Sequence, residues 1–232
     1  WQVSNDNFIQ YDSTGILANN FNISNKDQSL RINSTTASAS APLEVAFKNF
    51  SIQTLTDFAD QASLLADGII NGNVIVKNAT NNPVFTSDLQ IKDLSYKKDT
   101  IGNVSIKVDN ETANAFNADV KINGNGNDVQ LAGKYYTGES KMDMKLDIVN
   151  FNMATATPFS VGQLTDAGGN LKGNIAIAGT IDKPAVNGNI HFENAFVVPT
   201  VMGTRFTLPD EKINVSEKGI NFDHFTLVDS SG

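Results

Sequence analysis

The sequence predicts an all-β protein built from antiparallel strands, with two short helical inserts. Apolar residues make up 40% of the 232 residues and charged residues only 18%, so most of the hydrophilicity comes from uncharged Asn, Thr, Ser and Gly. That composition is typical of strands and turns rather than of helical arrays or disordered chains. Apolar residues alternate with polar ones over several stretches, and a long segment repeats itself. An elongated, repeating sheet fits these observations better than a closed globule.

Charge and cysteine content exclude several classes of protein. The net charge of −8 and the isoelectric point near 4.7 disfavour a nucleic-acid partner, because phosphate contacts need clustered Lys and Arg. The chain has no cysteine, which removes disulfide scaffolds, thiolate zinc sites and cysteine nucleophiles. No segment reaches the ~18 apolar residues of a membrane span. The first ten residues lack the basic region of a signal peptide, and the last residues run out of a strand-like stretch, so we expect a fragment of a longer protein with any targeting signal or anchor outside it.

The chain aligns with itself at a shift of 101 positions, without a gap over about fifty residues. Identical pairs at this shift are Asn49 and Asn150, Phe50 and Phe151, Gly72 and Gly173, Asn73 and Asn174, and Pro83 and Pro184. Apolar positions also keep the same phase, which an Asn- and Gly-rich composition would not produce by chance. The self-comparison predicts leading strands over residues 1–40 and repeat units over 41–140 and 141–232.

Each unit begins with an alternating strand and returns to strands after a short helix. In the second unit, residues 142, 144, 146 and 148 are apolar and residues 141, 143, 145 and 147 are charged. Such a strand has one apolar face and one wet face. Further strands are predicted around residues 21–23, 30–32, 70–76, 89–91, 104–108, 120–122, 129–131, 171–177, 190–192, 206–208 and 213–215.

Two inserts have helical spacing. In the first unit, Thr54 is a predicted N-cap for a stripe over residues 55–65, and Gly68 is placed to end it. In the second unit, Thr157 is the predicted N-cap, Pro158 occupies the first helical position and residues 168–169 end the turn. Both inserts are too short to be stable alone, so each must pack its apolar side on the sheet.

The residues that resemble reactive or metal-binding groups have simpler explanations. Residues 124–128 have the Gly and Asp content of a calcium-binding turn, but the pattern occurs once, so a hairpin turn is predicted. His191 and His224 lack metal-ligand spacing, and His191 is expected on the solvent face of its strand. No nucleophile elbow or phosphate loop is present. We expect no catalysis, no cofactor and no metal.

The apolar face of the sheet must be covered by something, and periodicity alone leaves two possibilities. A second sheet would give a closed sandwich, such as an adhesin, a cell-surface scaffold or a glycan-binding module. Exposed aromatics available as a sugar platform would be Trp1, Tyr96, Tyr135 and Tyr136. Alternatively, a sheet curled into a trough would offer its interior to an apolar ligand such as acyl chains.

The segment 171–190 resembles a recurring phrase of the TamB family, the translocation and assembly module subunits of Gram-negative envelopes. The phrase has a glycine at Gly173, Gly-Thr at Gly179 and Thr180, and Pro184. The likeness is strongest from about residue 143 to the end, which in the family lies in the C-terminal region. The first unit departs from the phrase, with Asn78 and Ser87 in place of two glycines. The Asn-rich composition of the chain resembles that of Bacteroidetes-type members.

The resemblance implies a β-taco, a long curled sheet with a hydrophobic groove on its concave side. Family members belong with the AsmA-like, bridge-type lipid carriers of the periplasm. An N-terminal helix, not included in this sequence, anchors them in the inner membrane. Beyond the C-terminal region they reach an outer-membrane barrel of the Omp85 class. The implied activity is phospholipid movement between the membranes, help in outer-membrane protein assembly, or both.

The expected ligands are phospholipid acyl chains or the apolar strands of client proteins. The residues predicted to line the groove are Val45, Phe47, Ile70, Val74, Val76, Leu89, Ile91, Met144, Leu146, Ile148, Leu171, Ile175, Ile177, Ile190 and Phe192. Their expected mechanism is removal of apolar surface from water, with no covalent step.

Overall fold

The computed structural model describes residues 1–58, 65–222 and 224–229. Its first nine strands are β1 (Gln2–Val3), β2 (Phe8–Asp12), β3 (Gly15–Asn19), β4 (Phe21–Asn25), β5 (Gln28–Ser34), β6 (Leu43–Ser51), β7 (Ala66–Lys77), β8 (Val84–Tyr96) and β9 (Asp99–Asp109). The others are β10 (Ala115–Gly124), β11 (Asn127–Tyr136), β12 (Lys141–Asn152), β13 (Leu164–Thr180), β14 (Lys183–Pro199), β15 (Phe206–Ser216), β16 (Gly219–Phe222) and β17 (Val228–Asp229). The helices are α1 (Ile52–Phe58) and a 3₁₀ helix (Met153–Phe159).

The strands form one large antiparallel sheet. Among the described residues it contains 15 strands, in the order β1, β4 and then β5 to β16 in sequence, with β17 paired to β15. The sheet is not closed into a barrel, and β2 and β3 form a separate hairpin. This topology confirms the predicted all-β, antiparallel fold with two short helices. It does not fit the sandwich alternative, which needs two sheets of similar size packed face to face.

The chain divides into two compact units. The first comprises Trp1–Leu94 and Asn103–Asp119, and the second comprises Ser95–Gly102 and Val120–Gly232. The predicted boundaries of the repeat units, 1–40, 41–140 and 141–232, stay a prediction.

An aromatic cluster forms the core of the first unit. Phe50, at the end of β6, is fully buried. The Trp1 and Phe47 rings lie 5.5 Å and 5.9 Å from it, centroid to centroid. Leu43 and Ile70 are buried on the same pair of strands. Since β6 is the strand that α1 follows directly, this core also fixes where the helix begins.

The 3₁₀ helix contributes to the core of the second unit. Met153 from the helix packs with Ala167, Ala195 and Leu208, one residue each from β13, β14 and β15. Partly buried residues around this cluster include Phe151, Leu164, Leu171, Phe192, Val197 and Phe225. The helix therefore covers one end of the apolar face of the three strands, as a short insert that cannot be stable alone must do.

Both helices begin earlier than predicted. Thr54 lies inside α1, which starts at Ile52 directly after β6. Gly68 does not end a helix but lies in β7 with φ near +152°, and a Cβ there would meet Ile91 Cγ2 at 3.0 Å. Its role is thus close strand packing. Leu65, predicted in the stripe, is outside the helix and exposed, while residues 59–64 of that stripe lie outside the described residues.

The second insert is a 3₁₀ helix capped by Asn152 rather than by Thr157. The Asn152 side chain accepts a hydrogen bond from the Ala154 N–H, which satisfies a free donor of the first turn. Thr157 and Pro158 therefore lie in its last turn. The residues predicted to end the turn are in β13, where a Cβ on Gly169 would lie 2.2 Å from the Asn194 carbonyl oxygen.

The strand register repeats after 101 residues. Leu43 pairs with Val76 and Val45 with Val74 across β6 and β7, while Met144 pairs with Ile177 and Leu146 with Ile175 across β12 and β13. Both members of each pair are shifted by the same 101 positions. Register shifts also recur at this distance, between Phe47 and Phe50 and between Ile148 and Phe151. The phase of the apolar positions therefore corresponds to a repeated pairing geometry.

Two other predictions concern turns and strand ends. Asn125 and Gly126 have φ near +51° and +79° and connect β10 to β11, which confirms the hairpin. The stretches 206–208 and 213–215, predicted separately, are one strand, β15. Pro209 lies between the paired residues Leu208 and Asp210, opposite Asn194 of β14. Asn194 has φ near +47°, so β14 is irregular at this point and tolerates a residue without a backbone N–H.

Candidate apolar binding surface

Apolar side chains of the second unit form two parallel rows across five strands. Cross-strand partners share one face of a sheet, so the register defines the rows directly. The first row contains Val129, Ile148, Gly173, Ile190 and Ile213. The second row contains Leu131, Leu146, Ile175, Gly188 and Val215. We call these ten residues the second-unit rows.

The first unit carries rows of the same kind on β4 to β7. One row contains Ile23, Leu30, Phe47 and Gly72, and the next contains Phe21, Ile32, Val45 and Val74. Leu43 and Val76 continue the pattern one step further along β6 and β7. These residues are the first-unit rows. Each row thus has mainly branched or aromatic side chains, with a glycine at one position in three of the four rows.

All fifteen predicted groove residues lie on strands, but their surroundings differ. Val45, Phe47, Ile70, Val74, Val76, Leu89 and Ile91 belong to the first unit, and the other eight belong to the second. Ile70 is buried, and the remaining fourteen are half-buried. Leu171 and Phe192 pack against the core cluster under the 3₁₀ helix. The second-unit rows at Leu146, Ile148, Ile175 and Ile190 lie further along the strands.

The glycines in the rows mark close approaches between backbones. A Cβ on Gly173 would lie 2.2 Å from the Asn189 carbonyl oxygen, and one on Gly188 would lie 2.1 Å from that of Asn174. Their φ angles, near +155° and +157°, are strained for any residue with a side chain. Only glycine therefore fits at these two positions. A side chain there would also take up space next to the adjacent Ile and Val side chains of the rows.

Asn127 secures the 3₁₀ helix against the sheet of the second unit. Its buried amide donates to the Ile101 carbonyl oxygen at 2.8 Å and to Thr155 Oγ1 at 3.0 Å. Its own oxygen accepts the Asn152 N–H at 2.9 Å. The helix that covers one end of the apolar face is thus held by hydrogen bonds from a neighbouring strand, so that its position does not depend on apolar packing alone.

The opposite face of β13 to β15 is polar. His191, predicted on this solvent face, bonds through Nε2 to Asp210, and Lys172 Nζ lies 2.7 Å from Glu193. The His191 hydrogen bond, followed by the charges of His191 and Lys212, lowers the pKa of Asp210. The described residues contain no cluster of His, Asp and Glu that could hold a metal ion. Charged side chains of this part of the sheet therefore lie mainly on the polar face, although Glu211 pairs with Phe192 across β14 and β15 and is buried on the apolar side.

Sequence reasoning missed several members of the rows. Leu131, Ile213 and Val215 belong to the second-unit rows, and Leu30 and Ile32 to the first-unit rows. Their strands were predicted from alternation, but alternation gives no information on which strands are neighbours. Their contribution follows from the register.

The aromatics of the sandwich alternative do not form a platform. Tyr135 and Tyr136 are consecutive strand residues and point to opposite faces. Tyr96 stacks on Phe159 with ring centroids 4.8 Å apart. Trp1 packs on Phe50, and both residues belong to the first unit. A sugar-binding surface would need several rings side by side on one face, which these four residues do not provide within either unit.

An unclosed antiparallel sheet that carries apolar rows in each unit defines the class of the protein, and comparison with known families specifies it further. Residues 23–192 match the family described as "TamB, N-terminal domain". The match covers more than half of the chain, and the chain belongs to the TamB family. The matched part is the N-terminal domain, whereas the sequence resemblance had placed the chain in the C-terminal region. Curated proteins and solved structures gave no match.

Membership of the TamB family supports a TamB-type role in the cell envelope. Among the described residues, the structure contains no helix whose length and apolar character would let it cross a membrane.

Proposed function

We propose that this chain is a non-enzymatic periplasmic segment that shields phospholipid acyl chains during transport between the inner and outer membranes. The same surface would receive apolar strands of outer-membrane proteins during assembly. The observation that carries the proposal is the pair of apolar rows in each unit, whose members are mostly half-buried. A face of this kind is neither sealed as a core nor dispersed as single exposed residues.

The energetic argument rests on the apolar area that is still available in the rows. Leu146 and Ile175 are opposite each other and both half-buried, so a ligand lying along the row would remove further surface of both from water. Each methylene of an acyl chain buried in this way contributes ~0.8 kcal/mol. Burial of several methylenes along one row would be enough to keep an acyl chain out of water. No single contact would be strong enough to prevent the acyl chain from moving along the row.

The proposal needs no chemical step. Carboxylates of the second unit, such as Glu193 and Asp210, pair with Lys172 and His191 on the polar face, away from the rows. We therefore propose no catalytic residue and no cofactor. An inner-membrane anchor and an outer-membrane partner of the Omp85 class are part of the same proposal, outside the residues of this chain.

Site-specific photocrosslinking in cells tests the proposal. A photoreactive residue at Val74 lies in a first-unit row, whereas one at Ile75 lies on the opposite face of the same strand and is also half-buried. Ile175 and Asn174 give the matched pair in the second unit. We expect phospholipid adducts from Val74 and Ile175 and none from the controls. Equal capture on both faces, or no lipid at either row position, would refute the shielding role.

The two ligand classes separate by mass in the same experiment. A lipid adduct adds less mass than a small protein and contains phosphate. An adduct with a client protein adds the mass of a second polypeptide. Capture of polypeptide alone at Val74 and Ile175 would replace lipid transport with assistance in protein assembly as the function.

A further inference from the structure

Two loops of the second unit present strongly exposed apolar side chains next to each other. Val161 is 84% exposed, Val201 is 86% exposed and Met202 is 62% exposed. The Thr200 N–H donates to the Gln163 carbonyl oxygen at 2.9 Å, and the Thr200 hydroxyl donates to the Gly162 carbonyl oxygen. These bonds hold the two loops side by side. We call Val161, Val201 and Met202 the apolar tip.

The conformation of the first loop keeps Val161 outward at a cost. Val161 has φ near +52°, a region that a β-branched residue rarely adopts. The second loop is closed tightly, since the Met202 and Gly203 N–H groups both donate to the Pro199 carbonyl oxygen. Residues held in such a sparsely populated region cluster at active sites, ligand clamps and switch regions.

The charge around the apolar tip is unlike that of the whole chain. Residues 148–165 contain no charged residue, and residues 194–209 contain one, Arg205, although the chain carries a net charge of −8. Arg205 lies over the Phe196 ring, 3.5 Å from its centroid, and 4.0 Å from Asp166. Lys97 lies near the first loop, where its Nζ donates to the Pro158 carbonyl oxygen at 3.2 Å.

An aromatic pair lies at the base of the first loop. Phe159 is 53% exposed and stacks on Tyr96, and Lys97 Nζ is 5.3 Å from the Tyr96 ring centroid. Apolar side chains at the tip, aromatic rings below them and cations at the flanks are the arrangement with which proteins enter a membrane interface. The cations would meet anionic headgroups, and the absence of carboxylates in both loops removes the repulsion that this acidic chain would otherwise experience.

We propose that the apolar tip inserts into the surface of an anionic phospholipid bilayer. The inference is independent of the proposed function, because it concerns loops at the strand ends and not the apolar rows of the sheet. Insertion buries the tip residues in the headgroup and acyl boundary, while Arg205 and Lys97 contact phosphate.

The absence of cysteine from the chain allows a direct test. Met202→Cys, labelled with an environment-sensitive fluorophore, is mixed with vesicles of phosphatidylethanolamine and phosphatidylglycerol, and Ile181→Cys is the control. Ile181 is 60% exposed in the turn between β13 and β14, next to Asp182 and Lys183. We expect a blue shift at position 202 and none at 181. The shift should decrease in high salt and with vesicles of phosphatidylcholine alone. Equal responses at 181 and 202 would overturn the proposal.

Flotation of the 232-residue chain with the same vesicles separates the tip from the rows. Val201→Asp combined with Met202→Asp should lower the bound fraction about tenfold or more, while Ile181→Asp leaves it unchanged. Circular dichroism checks that these exposed substitutions keep the fold. Binding retained by the tip variant but lost by Ile175→Asp would assign the binding to the rows and overturn the proposal. A blue shift at position 202 that grows with protein concentration without vesicles would assign the tip to a second copy of the chain instead.

Discussion

Leu146 on β12 lies directly opposite Ile175 on β13, and both side chains are half-buried. Val45 and Val74 have the same relationship on β6 and β7. Half-covered apolar pairs that continue across several strands form a contiguous apolar patch, which marks an interaction site when it is large. A substitution in this pair is therefore the most direct experimental test of the apolar rows.

A charge placed in this pair should abolish lipid association without unfolding the chain. Ile175→Asp puts a carboxylate where an acyl chain would lie, and the half-buried position lets it remain hydrated. Lipid that copurifies with the chain, measured by mass spectrometry, should fall to background. Ala176→Asp, on the exposed opposite face, is the matched control and should keep its lipid. Equal lipid content in the two variants would contradict the role of the rows.

Gly188→Ala adds only a methyl group, but it should strongly destabilise the fold. The new Cβ would lie 2.1 Å from the Asn174 carbonyl oxygen and 2.8 Å from Ile175 Cα, with φ near +157°. We expect a loss of about 2–4 kcal/mol in the free energy of unfolding, from steric conflict together with backbone strain. Urea denaturation measures it. Gly138→Ala, where a Cβ meets nothing within 4 Å, should change little, and similar losses in both would show that the close approach is unimportant.

Removing the amide of Asn127 should loosen the 3₁₀ helix. Asn127→Ala leaves the Ile101 carbonyl oxygen, the Thr155 hydroxyl and the Asn152 N–H without their present partner. The expected loss is about 2–3 kcal/mol, since buried groups left unsatisfied cost more than a hydrogen bond contributes. Thr155→Val removes one of the three bonds and should cost less. Thermal unfolding of both variants gives the comparison, and equal losses would contradict a network centred on Asn127.

The His191–Asp210 pair predicts a dependence of stability on acid pH. The hydrogen bond from His191 lowers the pKa of Asp210 from its usual 3.8, so the pair stabilises the folded state above that pH. The contribution should disappear as the pH falls through the lowered pKa. Asp210→Asn should therefore be less stable than the wild type at pH 5, with the difference closing toward pH 2. Asp182→Asn, exposed in a turn, is the control. A constant difference across this range would argue against a contribution from the ionised Asp210 carboxylate.

The sequence predicted the strands and their faces well because alternation with a period of two is a local property. The strand at residues 142–148, the hairpin at Asn125 and Gly126, and the solvent-face position of His191 all follow from neighbouring residues. Helix starts were less predictable. Thr54 and Thr157 are reasonable N-caps, but the chain already turns behind buried Phe50 in one case and is capped by Asn152 in the other.

Sequence alone determined the fold class, the 101-residue recurrence of the apolar phase and the likeness to the TamB family. Each depends only on which residues follow one another along the chain. Tertiary structure decided which strands are neighbours, and with them the rows that join Leu131 and Val215 to the predicted residues. It also decided which apolar residues are covered, since Leu171 and Phe192 pack against the core cluster that contains Met153, whereas Ile175 is not part of it. Register and coverage depend on contacts between residues far apart in the chain, which a local pattern does not contain.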